Sequence, residues 1–178
     1  MKKYKFIISL FTIVFLFLFK GCILDDFNDI TQNVPISKQF TVSGTTYTDT
    51  KYFCLSESNI IQDYQNKIEE IQLLTATYQT ISVDPSNVMG DIIIKLYKQD
   101  GTNLYSFTLT NVSPANYINS PIVLQFTDTE LQLINAYLST LKGGTCFQAS
   151  ITVNTNPPGG SVTLTGKIDI AFKMKAKT

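Results

Sequence analysis

Apolar and polar side chains alternate with a period of two along most of this chain. The clearest run is Ile168-Asp169-Ile170-Ala171-Phe172-Lys173-Met174-Lys175. Successive side chains of an extended strand point to opposite faces. Ile168, Ile170, Phe172 and Met174 therefore share one face, and Asp169, Lys173 and Lys175 the other. Such a strand is buried on one side, with lysines guarding its wet side or an edge. The same reading predicts strands over residues 36–42, 47–55, 68–82, 91–98, 104–110, 146–154 and 161–175, the last bent at Gly166. Asp100-Gly101 between two of these runs is hairpin-turn chemistry, and Asn156-Pro157-Pro158-Gly159-Gly160 reads as a stiff, exposed turn.

Two segments follow the helical period instead. Thr127-Asp128-Thr129-Glu130 has the form of a capping box, Leu131, Ile134, Leu138 and Leu141 then fall on one helical face, and Gly143-Gly144 stops the run. A shorter helix is predicted over 58–67, with Ile61, Tyr64 and Ile68 on one side. About seven strands separated by turn signals, plus two short helices, predict a mainly β domain. The expected architecture is an antiparallel immunoglobulin-like β-sandwich, with a partly closed barrel as the alternative.

The N-terminus departs from this pattern. Residues 1–21 contain Lys2, Lys3, Lys5 and Lys20 and no acid, and residues 6–19 are Phe, Ile, Leu and Val broken only by Ser9 and Thr12. A basic start followed by a short apolar run is the layout of a secretory signal. The run is shorter than the roughly 20 residues a spanning helix needs. It ends in Phe19-Lys20-Gly21-Cys22. Here the chain resembles bacterial lipoproteins, whose signal closes with a small residue before an invariant cysteine. Gly21 and Cys22 match that box, whereas Phe19 and Lys20 depart from its commoner Leu and small residue.

The resemblance implies cleavage before Cys22, a thioether-linked lipid on its sulfur and acylation of the new N-terminus. Together these chains bury enough methylenes for stable anchoring. The acids in Ile23-Leu24-Asp25-Asp26-Phe27-Asn28-Asp29 resemble the surface-export signal of Bacteroidota-type lipoproteins. The stretch from Phe53 to Ser58, leading to a short helix and a long strand, is similar to secreted β-sandwich lipoproteins of such envelopes. That likeness covers about 40 residues and transfers no catalytic residue. The implied organisation is a signal over 1–21, an acidic tether over 22–33 and one β-sandwich domain over 34–178. The implied address is the outer membrane, lipid-anchored, facing the periplasm or the cell surface.

Composition narrows the chemistry. After residue 21 the chain keeps 10 of its 14 lysines and all 14 acids, a net charge of −4. Such a surface repels phosphate backbones, so nucleic acid is not expected as a partner. The chain contains no His, Arg or Trp. It therefore has no imidazole base or ligand, no guanidinium fork and no indole platform. No nucleophile elbow or glycine loop of phosphate-cradling form occurs, and Asp84, Asp91, Asp100, Asp128 and Glu130 all fall at turns or helix starts. No catalytic residue, metal site or cofactor is expected.

With Cys22 lipidated, Cys54 and Cys146 remain as an even pair in an oxidising compartment. Bridged across their separation of 92, they would constrain the unfolded chain by about 4.6 kcal/mol. Unbridged, they would serve as two small apolar side chains.

The function expected is a non-catalytic, membrane-anchored envelope lipoprotein acting as a structural, adhesion or protein-interaction module. The alternative is a carbohydrate-binding accessory lipoprotein of a glycan-uptake system. Tyr117, Tyr97 and Tyr105 would then be the ligand-contact aromatics, with the patch centred on the two-proline loop 111–121 that carries Tyr117.

Overall fold

In the computed structural model of the protein, which describes residues 29–44, 48–141, 146–156 and 160–177, the C-terminal alternation becomes one unbroken strand, β8 (Val162–Lys177). Its Leu164, Ile168, Ile170, Phe172 and Met174 are buried. β8 is hydrogen-bonded on both sides. Along one edge runs β1 (Asp29–Gly44), with Asp29 opposite Lys177 and Gly44 opposite Val162. Along the other runs β3 (Ile68–Asp84), whose far edge carries the two-residue strand β6 (Ile122–Val123). This sheet has the order β1-β8-β3-β6. The second sheet consists of β2 (Thr48–Cys54), β7 (Cys146–Asn156), β4 (Met89–Tyr97) and β5 (Asn103–Val112), in the order β2-β7-β4-β5. All strand ladders are antiparallel.

The protein is thus a mainly β, two-layer antiparallel sandwich. Among the described residues it has eight strands, because β6 is too short for its alternation to register in the sequence. Only β4 and β5 are joined within one sheet; every other consecutive pair crosses between sheets. That is the winding of a double-sheet jelly roll. Immunoglobulin domains group their strands A-B-E-D and C-F-G, placing the first two side by side. Here β1 and β2 lie in opposite sheets. Counting strands and turns reveals the sandwich, but the order within each sheet depends on long-range pairing.

β1 begins at Asp29, seven residues before the predicted strand, so residues 29–33 belong to the sheet rather than to the tether. Polar Gln32 and Lys38 occupy in-phase positions and interrupt the apolar pattern, but β8 supplies a partner for every residue of β1. The signal segment, Cys22, residues 23–28 and the Gly143-Gly144 and Pro157-Pro158-Gly159 signals lie outside the described residues. Among those described, no helix is long and apolar enough to cross a membrane.

Two helices close one end of the sandwich. α1 (Asn59–Asp63) follows a 3-10 turn at Leu55–Glu57 and is shorter than the predicted helix, because the chain passes into turns over 64–67 before β3. α2 (Asp128–Leu141) has the capping box: the Thr127 N–H donates to Glu130 Oε2 at 2.8 Å, and the Glu130 N–H to Thr127 Oγ1 at 3.3 Å. Ile134, Leu138 and Leu141 are buried. α2 also covers the outer edge of β3, where the Leu73 N–H donates to Asn135 Oδ1 at 2.8 Å.

The sheets are joined by aromatics. Phe53 stacks on Phe147 across β2 and β7 at 5.2 Å, and Phe147 meets Phe172 of β8 edge-on at 5.9 Å. Phe40 of β1 stacks on Phe53 at 6.3 Å. In the next rung beside the Phe53–Phe147 pair, Cys54 and Cys146 face one another as a disulfide, with Cα atoms 4.0 Å apart.

Gly166 is buried in the middle of β8, and a Cβ there would lie 2.9 Å from Tyr78 Cε2 and 3.1 Å from Ile151 Cδ1. The Tyr78 ring occupies the space a side chain would need. Gly166→Ala should therefore cost about 1–3 kcal/mol through overpacking, read as a lower urea midpoint. Replacing Cys54 and Cys146 together with Ala should lower the unfolding free energy by about 2–5 kcal/mol, measured by urea denaturation against the oxidised protein.

Candidate functional site

The strand register places three rows of side chains on the outer face of the β2-β7-β4-β5 sheet. Tyr52, Gln148 and Tyr97 form the first row. Thr50, Ser150, Lys95 and Ser106 form the second, and Thr48, Thr152, Ile93 and Thr108 the third. Neighbouring strands lie about 4.8 Å apart and alternate residues about 6.7 Å along a strand. The rows therefore make a grid of hydroxyl, carboxamide, phenol and ammonium groups, with Ile93 as the apolar member. The grid's members other than Tyr52, Ile93, Ser106 and Thr108 line an open groove of about 340 Å³ between Thr48 and Thr50 on one side and Lys95, Tyr97 and Gly101 on the other.

Hydrogen bonds hold the grid in place. Thr48 Oγ1 and Thr152 Oγ1 are 2.8 Å apart. Gln148 Nε2 donates to Tyr52 OH at 3.2 Å and to the Gln99 carbonyl at 3.3 Å. The wall at Gly101 is built by the β4–β5 turn. There the Thr102 N–H donates to Asp100 Oδ1 at 2.8 Å, and that bond holds the Asp100 carboxyl below the usual carboxylate range. Gly101 takes φ +87°, the conformation that favours glycine. Tyr137 of α2 pins the turn: its hydroxyl accepts from the Gln99 N–H at 3.0 Å and donates to the Cys146 carbonyl at 3.1 Å. The Lys98 ammonium lies 5.8 Å from the Tyr137 ring centroid.

Lys95 is the ammonium in the lining of the groove. Among the described residues no carboxylate lies within ion-pairing distance of it, whereas Lys38, Lys51, Lys167, Lys175 and Lys177 each have one. Asp91, on the same face of β4, accepts from the Asn111 N–H at 2.8 Å.

The three tyrosines singled out in the sequence do not converge. Tyr97 lines the groove. Tyr105 faces the core: it is 2% exposed, its ring is 4.2 Å from that of Phe126, and its hydroxyl donates to the Gln125 carbonyl at 2.8 Å. Burial pushes its phenol well above the ordinary range. Tyr105 is thus a structural residue and not a surface aromatic, because its strand phase matches Phe107 and Leu109 on the inner side. Tyr117 ends the 3-10 turn Pro114–Tyr117, is half-buried, and meets the Tyr78 ring edge-on at 6.3 Å. Lys95, Gln148, Tyr52 and the hydroxyl rows were not singled out. Their shared phase within each strand is visible in the sequence, but their adjacency requires the strand order.

Elsewhere the described residues offer little room. An apolar void of about 10 Å³ lies among Leu96, Ile134, Phe147 and Phe172 under α2, space for at most one water. Among the described residues no group of three or more His, Cys, Asp or Glu could hold a metal ion.

No family model and no curated protein matches the chain. Among solved structures it is similar to a chain of turnip yellow mosaic virus, with 10% identity and a TM-score of 0.45 over 84% of this chain and 82% of that one. It is also similar to a chain of the cyanophage Pam1 capsid asymmetric unit, at 12% identity and TM-score 0.38 over 83% and 86% of the two chains. A chain of the disulfide-linked pili of Bacillus endospore appendages aligns at 9% identity and TM-score 0.35 over 84% and 92%.

Beneath Tyr117, the Tyr78 ring is fully buried and its hydroxyl lies 2.9 Å from Thr80 Oγ1. Burial pushes its phenol from the ordinary 10.0 up to about 12, although the Thr80 bond pulls the other way. The folded protein keeps this proton where the unfolded chain releases it. The stability from Tyr78 is therefore complete below pH 10 and lost as pH rises towards 12. Tyr105 and Lys175, whose proton Asp29 helps retain, act in the same direction. The unfolding free energy should fall between pH 10 and pH 12, at up to about 1.4 kcal/mol per pH unit for each such tyrosine. In Tyr78→Phe that slope should be shallower, as measured by urea titrations at several pH values.

Proposed function

We propose that the protein is a non-catalytic, lipid-anchored lipoprotein of the bacterial envelope, held on the outer membrane and facing the periplasm or the cell surface. One juxtaposition carries the reading. β1 starts seven residues after Cys22, beside the last residues of β8. Seven residues span at most about 25 Å, so a lipid on Cys22 would keep this end of the sandwich close to the bilayer. The last two lysines of β8 are paired with acids, Lys175 with Asp29 at 2.6 Å and Lys177 with Glu69 at 3.2 Å, while the exposed Lys67 lies beside Lys177. Paired lysines draw weakly on anionic head groups and a single further lysine adds only about 1 kcal/mol, which leaves the acyl chains as the main anchor.

From that end β1 runs 16 residues to Gly44, about 50 Å of strand. The connections 85–88 and 113–121 lie at the Gly44 end and would face away from the membrane. A domain so oriented suits adhesion or capture. The polar groove on the outer face favours the second reading, a carbohydrate-binding accessory lipoprotein of a glycan-uptake system. Its side chains are of the kinds that hydrogen-bond sugar hydroxyls.

Cells fed an alkyne palmitate analogue should label the wild-type protein, which should fractionate with the outer membrane. Cys22→Ala should lose the label and the membrane association. Unlabelled wild-type protein that retains residues 1–21 by mass spectrometry would remove the anchor and the role built on it.

A further inference from the structure

The groove has a charge pattern that the reading as a neutral sugar platform does not use. Lys95 projects from β4 in the interior of the sheet, flanked by Ser150 on one side and Ser106 on the other. It is half-buried, with no acid in the groove lining. Lys173, on the outer face of the other sheet, is exposed to solvent instead. A lysine with its stem packed against neighbours and its ammonium facing polar groups is preset to meet a negative group.

The face also limits what can be recognised. Ladder partners on both sides of β7 and β4 use their backbone groups, so strand addition has no purchase there. The rows of hydroxyl and carboxamide groups provide no apolar pockets for peptide side chains. They do match the diols of a sugar ring, with Tyr52 and Tyr97 on either side of Gln148 as surfaces for its C–H face. A densely charged polymer is disfavoured by the net charge of −4 on the chain after residue 21.

We infer that the groove binds an acidic glycan, one bearing a carboxylate on a sugar ring, with Lys95 receiving that carboxylate, Tyr97 and Gln148 holding the ring, and Tyr52 beside Gln148 at the margin. This rests on the glycan reading of the groove and adds the chemical class of the ligand.

The test uses the full chain from residue 22 on an array of uronate-containing oligosaccharides printed beside their methyl esters, with neutral oligosaccharides as a third set. The acids should be bound, and the esters about 10- to 100-fold more weakly, the range for one charge-assisted contact. Lys95→Met should bring the acids down to the level of the esters without lowering the melting temperature. Lys95→Arg should keep the preference, and Gln148→Ala should weaken acids and esters alike. Equal binding of acid and ester, or an acid preference that survives Lys95→Met, would overturn the assignment while leaving the glycan reading standing. Silence across all three sets would overturn both.

Discussion

The pairing of β8 between β1 and β3 is the constraint on which the rest of the structure depends. β8 contributes no edge: β1 pairs with all 16 of its residues and β3 with the 14 from Thr163 to Ala176, and alternate side chains fill the inner layer. β3 adapts to it. Its 17 residues lie opposite the 14 from Thr163 to Ala176, and the excess of three is taken up by bulges at Glu69, Leu74 and Ile81. Bulges bend and twist a strand, and those on β3 disturb an edge that would otherwise offer a long template to another chain. α2 and β6 cover more of it: Asn135 and Leu124 bond to the Leu73 N–H and the Ala76 carbonyl. Because β1 and β8 come from opposite ends of the described chain, the central sheet closes only when the last strand arrives. Such non-local pairing is intrinsically slow to form.

Packing between the sheets follows from that geometry. Phe172 on β8 meets Phe147 on β7, Phe147 stacks on Phe53, and Phe53 stacks on Phe40 of β1. The chain of rings begins and ends in one sheet and passes through the other. Gly166 breaks the run of inward side chains on β8, and the Tyr78 ring leans into the gap from the neighbouring strand. Its hydroxyl, buried with the ring, is satisfied locally by Thr80. A polar atom is thereby placed in the core without the cost of an unmade hydrogen bond.

Legibility in the sequence divides along the same lines. β8, the capping box of α2 and the Asp-Gly turn are local, and residue order alone shows them. The first part of β1 is not local. Gln32 and Lys38 sit at the sheet margins, where half-burial tolerates them, and only the partner strand reveals the pairing. Strand order is wholly non-local, and with it goes the groove. Thr48, Thr50 and Tyr52 are far in sequence from Gln148, Ser150 and Thr152, and they become neighbours because β7 inserts between β2 and β4. For Tyr105 residue type and strand phase point to different places: an aromatic suits a binding surface, but the phase it shares with Phe107 and Leu109 turns it inward.

The site is positioned by sheet rather than by loop, and that bears on what it can recognise. Loops adapt to a ligand and lose entropy in doing so, whereas side chains on paired central strands are held before the ligand arrives. The first row of the grid is also tied to the closed end of the sandwich. Gln148 bonds to Gln99, Gln99 to Tyr137, and Tyr137 to Cys146 beside the disulfide. Each link spans a different element, so the spacing between Tyr52, Gln148 and Tyr97 is set by the same contacts that cap the core. A rigid, shallow, hydroxyl-rich surface selects ligands by the pattern of their polar groups rather than by enclosure. On the proposed reading the half-buried Lys95 ammonium would discriminate most, because a ligand that covers it without a matching charge leaves it desolvated and unpaired.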